Sequence, residues 1–135
     1  MAKTVLVDAF VEVGGNDISC NVRTVTLNYA AEEVDDTTMC DDTRTNLGGL
    51  KTWSLDLEVA NDFAASEVDS IIFPLVGTQV AVKFRPTSDP VGPNNPEYSG
   101  TGMLSTYNPV GQSVGDLATA PITIVSAGTL ARAVA

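Results

Sequence analysis

From residue 30 to residue 61 the chain reads AAEEVDDTTMCDDTRTNLGGLKTWSLDLEVAN, and this stretch decides the fold. Its second half alternates without a fault: Trp53, Leu55, Leu57 and Val59 on one side, Ser54, Asp56, Glu58 and Ala60 on the other. Successive side chains of a strand point to opposite faces, so a period of two with one apolar side means a strand with one buried face. The first half is polar and acid-rich, shows no apolar period, and ends in Gly48 and Gly49. It reads as a long loop over about residues 30–47 that returns the chain into the strand. Ordered loops of that length usually serve function rather than connection. With few apolar residues of its own, this one is expected to order only against a neighbour.

Outward from that stretch the period of two recurs. Residues 4–13 place Val5, Val7, Ala9, Val11 and Val13 on one face and Asp8 and Glu12 on the other. Gly14-Gly15-Asn16-Asp17 follows as a tight hairpin turn, because glycine and asparagine tolerate positive φ. Residues 22–29 form a strand with Val25, Leu27 and Tyr29 inward, rich in the β-branched residues that suit a pleated surface. Residues 78–85 put Val80, Val82 and Phe84 on one face. Residues 97–107 form a strand interrupted by Gly100 and Gly102, a sign of a bulge or of close packing. Residues 116–126 form the last strand, with Ile122 and Ile124 inward, and four prolines between residues 86 and 96 rule that segment out as a central strand. The pattern changes once: Ala64, Val68, Ile71, Ile72 and Leu75 stand at helical spacing, Ser66 and Asp69 resemble a capping box, and Pro74 and Gly77 close the helix. The expected fold is mainly β, an antiparallel β-sandwich or barrel in a single domain over 1–135, with one flanking α-helix at about 63–75.

Charge narrows the function. The 135 residues hold 17 acids, 7 bases and no histidine, a net charge of −10. Nucleic-acid affinity comes largely from neutralising phosphates, so this surface repels DNA. Without histidine the commonest general base and metal ligand is missing, and neither a Ser-His-Asp nor a Cys-His arrangement is possible. Gly48-Gly49 precedes a strand, where a phosphate loop precedes a helix and ends in Lys-Ser/Thr. The acids Glu32, Glu33, Asp35, Asp36, Asp41 and Asp42 lack the spacing and turn glycine of a calcium loop, and read as a solvated, interacting face. The expectation is no enzyme, no cofactor and no metal. Trp53 reads as a packing anchor of the core rather than a stacking platform. Cys20 and Cys40 read as free thiols. No apolar run approaches the roughly 20 residues that span a bilayer, Asp8 interrupts the one candidate, and the N-terminus lacks a signal-peptide pattern. A soluble product made in the cytoplasm is expected.

Two blocks carry a resemblance: Val34-Asp35-Asp36-Thr37-Thr38-Met39-Cys40-Asp41-Asp42-Thr43-Arg44, and Gly49-Leu50-Lys51-Thr52-Trp53-Ser54-Leu55. With Phe73-Pro74-Leu75-Val76-Gly77-Thr78, Asn95-Pro96-Glu97-Tyr98-Ser99-Gly100 and Ser113-Val114-Gly115-Asp116-Leu117-Ala118-Thr119, the chain resembles the major tail tube proteins of long, non-contractile bacteriophage tails. The resemblance runs in the family's order through nearly the whole chain, with Cys40 standing where the family commonly has a small residue such as glycine. It implies a structural virion protein, made in the host cytoplasm and assembled into the tail. Hexameric rings would stack into the tube that conducts the genome. Its partners would be copies of itself and the tape-measure, terminator and tail-tip proteins. DNA would pass through without specific binding, and no membrane is involved. The loop between the second and third strands would reach the adjacent ring, which singles out Glu32, Glu33, Asp35, Asp36, Thr37, Thr38, Met39, Asp41, Asp42 and Arg44. For the lumen the outward strand faces offer Ser54, Asp56 and Glu58, then Asp8 and Glu12, whereas exposed Lys83 and Arg85 would hold phosphates and mark their strand as a poorer lining. The alternative is a β-sandwich module of a virion or tail tip that recognises a glycan or a surface.

Overall fold

The computed structural model describes residues 7–65 and 67–134. Among these described residues eight strands and one short α-helix form: β1 (Phe10–Val13), β2 (Asn16–Asp17), β3 (Val22–Asp35), β4 (Asn46–Ala60), α1 (Val68–Ile72), β5 (Gln79–Arg85), β6 (Glu97–Tyr107), β7 (Thr119–Ser126) and β8 (Ala131–Ala133). The mainly β, antiparallel fold with one flanking helix is therefore what the sequence forms. All strands belong to one hydrogen-bonded sheet in the order β2-β1-β5-β6-β7-β4-β3, with β8 paired to the start of β6.

The inner face follows from the alternation. Leu55 faces Leu27 on one side and Ile124 on the other, and Leu57 faces Val25 and Ile122. Val11, Val13, Leu55, Val59, Leu104 and Ile124 are fully buried although they span the order from β1 to β4. A five-residue helix covers little of such a face, so the sheet curls over its own inner side, with Val68 and Ile72 of α1 joining the same core. Trp53 is the anchor expected: it is 4% exposed, and its Nε1–H donates to the Gly128 carbonyl at 2.8 Å. Its ring occupies the space left by Gly100 and Gly102, whose Cβ atoms would come within 3.0 Å of it. The interruption of β6 is thus close packing.

Three boundaries move. Gly14 and Gly15 do turn the β1–β2 hairpin, with φ of 60° and 84°. However, β1 begins only at Phe10, which faces Arg85. Pro86 follows and has no N–H to continue the ladder, so Val7 and Asp8 are exposed and lie off the sheet; the expected positions 4–6 lie outside the described residues. The helix is shorter than 63–75: Asp62 Oδ1 accepts the Ala64 amide in an Asx turn, which competes with helix over its first half. Ser66 of the expected capping box lies outside the described residues, and residues 73–75 tighten into a 3₁₀ turn. Finally, the loop expected over 30–47 is shorter: residues 30–35 and 46–47 are strand, and only 36–45 remain loop. β3 and β4 stay paired out to Asp35 and Asn46.

Candidate functional site

That extended hairpin is the arm. From Tyr29 to Asp35 and from Asn46 to Thr52 every residue is exposed, so the ribbon leaves the body of the protein with both faces uncovered. The paired glycines explain its shape. Between the Ala31–Lys51 and Glu33–Gly48 pairs, Gly49 and Leu50 oppose Glu32 alone, a bulge that bends the ribbon. A Cβ on Gly49 would press within 3.1 to 3.3 Å of Glu32 and Val34. Four apolar side chains ride on the arm without cover: Val34 and its partner Leu47, 44% and 58% exposed, Leu50, 79% exposed, and fully exposed Met39 at the tip.

The tip, residues 36–45, is tied by its own polar groups. Asp36 N donates to the Thr45 carbonyl at 3.1 Å, and the Thr45 amide and hydroxyl donate to Thr37 Oγ1 at 2.9 Å and Asp36 Oδ1 at 2.6 Å. Asp41 Oδ2 accepts the Thr38 amide at 2.9 Å, and Arg44 reaches Asp35 Oδ2 at 3.1 Å. The Thr37 side chain and amide, with a smaller contribution from Arg44, hold the Asp35 carboxyl below the usual carboxylate range. So Asp35, Asp36, Thr37, Thr38, Asp41 and Arg44 shape the turn, while Glu33, Met39 and Asp42 are exposed around it. Cys40, beside Met39, is a free exposed thiol, as is Cys20.

Where the arm leaves the body, two depressions adjoin. One, of about 520 Å³, lies between Leu50 and Lys51 of the arm and the turn Gly128-Thr129-Leu130; the other, about 310 Å³, runs past Tyr98, Leu130 and Arg132. Tyr29 and Leu130 line both. Sequence reading missed this groove, because a three-residue β8 carries no period to detect.

The outward face of β4 carries Ser54, Asp56 and Glu58 as expected. Their neighbours are Asn28, Thr26 and Thr24 on β3, and Asp56 also accepts bonds from Asn28 and Thr123 at 3.2 Å each. Glu12 lies on β1 opposite Lys83. Two expectations are corrected. Asp8 is off the sheet and accepts the Ser88 hydroxyl at 2.8 Å. Arg85 is not a free cation: its guanidinium lies 4.0 Å over the Phe10 ring and 3.8 Å from Glu97, and its side chain is 16% exposed.

At the opposite end of β4, the Tyr107 hydroxyl donates to Asp69 at 2.7 Å and accepts from Asn61 at 3.0 Å, tying α1 to β6. Burial and the Asp69 carboxylate push the Tyr107 pKa up to about 12. Among the described residues no group of His, Cys, Asp and Glu is placed to hold a metal ion.

No protein-family profile and no curated protein matches the sequence. Solved structures do. A chain from the virion of a native gene transfer agent particle superposes with a TM-score of 0.67 at 20% identity, over 93% of this chain and 95% of its own. A chain from the tail of an empty gene transfer agent particle, solved by helical refinement with C6 symmetry, gives 0.68 at 20% identity over 93% and 96%. The Dit protein of phage SPP1, described as a paradigm of the hub adsorption apparatus in phages that infect Gram-positive hosts, gives 0.50 at 14% identity. That match covers 88% of this chain and 49% of Dit. At these identities the likeness is one of fold.

Proposed function

We propose that this chain is a structural subunit of a phage-type tail tube, closing into hexameric rings that stack around the path of the genome. The observation that carries the reading is the arm: a two-stranded ribbon with Val34, Leu47, Leu50 and Met39 uncovered finds no cover among the described residues. An isolated two-stranded ribbon is marginal in water, so a neighbouring copy is what would hold it. The fold shared end to end with chains of a gene transfer agent virion and of a C6 tail supports the same assembly. Nothing in the reading needs a catalytic group or a cofactor. In the tail the chain would meet copies of itself and the tape-measure, terminator and tail-tip proteins.

The lumen is assigned to the outward face of β4, through Ser54, Asp56 and Glu58, with Glu12 of β1 on the same side of the sheet. Six copies at a net −10 each give a wall that DNA slides past without adhering. Negative-stain microscopy of the purified protein at high concentration tests the assembly: rings or tubes are expected. A monomer at every concentration that binds glycans would establish the recognition module instead. A tube map with Asp56 and Glu58 on the outer wall would overturn the lumen assignment.

A further inference from the structure

We infer that the groove at the base of the arm is the receptor for the acidic arm tip of a neighbouring copy of this chain. The inference rests on the tail-tube reading above and deepens it. The groove joins an apolar floor, Leu130 with the rings of Tyr29 and Tyr98, to two exposed cations, Lys51 and Arg132. Among the described residues no carboxylate lines either depression, in a chain where acids outnumber bases 17 to 7. By contrast Arg44 and Arg85 are already paired, with Asp35 and Glu97. The tip supplies the matching chemistry: Asp36, Asp41 and Asp42 around an exposed methionine, Met39. Met39 suits a floor of aromatic and aliphatic groups, since a flexible thioether packs well on rings.

The occupant must be a second copy. The arm rises from Thr52 to Asn46 by about 20 Å at roughly 3.3 Å per residue, so its tip stands away from the groove at its own base. A neighbour's tip can enter instead. The competing surface lies at the far end of β4, where Phe63, Val110, Val114 and Leu117 are exposed. Asp116 lines it and Asp62 precedes Phe63, and like charges brought together across an interface oppose docking.

Cys40 makes the test direct, because a native thiol already sits at the tip. In a Cys20→Ser background, Thr129→Cys places a thiol on the exposed rim of the groove, and Val114→Cys places one on the competing patch. Both proteins are assembled, viewed by negative stain, oxidised, and run on non-reducing gels. The expected result is a ladder of covalent multimers for Thr129→Cys and monomer for Val114→Cys. Tubes that link only through Val114→Cys, or through neither, overturn the receptor assignment while leaving the tube reading intact. A protein that never assembles overturns both. A charge swap gives a second readout. Lys51→Glu with Arg132→Glu should raise the concentration for half-assembly at least about tenfold, and adding Asp42→Lys should recover part of that loss. Unchanged assembly of the double reversal would overturn the inference.

Discussion

Replacing residues 37–44 by Asn-Gly should separate folding from assembly. Asp36 N already donates to the Thr45 carbonyl at 3.1 Å, so this pair can close a two-residue turn, and Asn-Gly takes the positive φ that such a turn needs twice. The bonds lost with the tip join exposed groups, including the Arg44–Asp35 pair, whose side chains are 84% and 52% exposed. A surface pair of that kind contributes about 0–1 kcal/mol. Against this, shortening the loop from eight residues to two recovers closure entropy, (3/2)RT ln 4 or about 1.2 kcal/mol. The two effects nearly cancel, and the core from Trp53 to Val59 is untouched. Urea unfolding should place the variant within about 1 kcal/mol of the parent with the same m-value. Negative stain should then show no tubes. Normal tubes would refute the arm as connector. A loss beyond about 3 kcal/mol would refute the accounting, since it would mean that the tip supports the fold.

Four further outcomes follow from particular contacts. Gly102→Ala drives a methyl into Ile124 Cγ2, to 2.9 Å from the Val125 carbonyl and 3.0 Å from Trp53; the overpacking should cost about 1–3 kcal/mol in urea melts. Gly48→Ala, with open space at its Cβ, should be neutral within about 0.5 kcal/mol, and equal losses at the two sites would refute the packing account of β6. Tyr107 has its folded pKa raised from 10.0 to about 12, so the unfolded chain loses its proton first and stability falls as pH rises through that window. Because the side chain is partly exposed, the effect is discounted to at most about 1–2 kcal/mol, and Tyr107→Phe should flatten the fall in Tm between pH 9.5 and 11.5. Assembly followed by light scattering should improve as ionic strength rises from about 0.01 M to about 0.15 M, where the screening length drops from about 30 to about 8 Å; steady weakening over that range would show that attractive pairs outweigh the net −10 of each copy.

Legibility in the sequence tracked burial. Where one face is covered by the chain's own core, hydrophobicity alternates and register is fixed, so β4 from Trp53 to Ala60, β5 and β6 stood out with nearly their observed ends. Where local polar chemistry intervenes, pattern misled: the apolar spacing of residues 64–75 is helical, yet the Asp62 side chain captures the Ala64 amide first and α1 starts at Val68. A partner's limits matter as well. Val7 continues the alternation of Val11 and Val13, but β5 ends before Pro86 and leaves nothing for it to pair with. The arm is the extreme case. Both of its faces meet solvent, so no alternation marks it, and its fourteen-residue and fifteen-residue strands read as strand only in their body-side halves, 22–29 and 52–60, with the rest of each taken into the loop. Only the ladder to Asp35 and Asn46 reveals it. With both faces exposed, the arm has no buried face to impose a period. What it does carry is residue chemistry without an internal use, here Val34, Met39, Leu47 and Leu50 beside the tip carboxylates, and that excess is what points beyond the single chain.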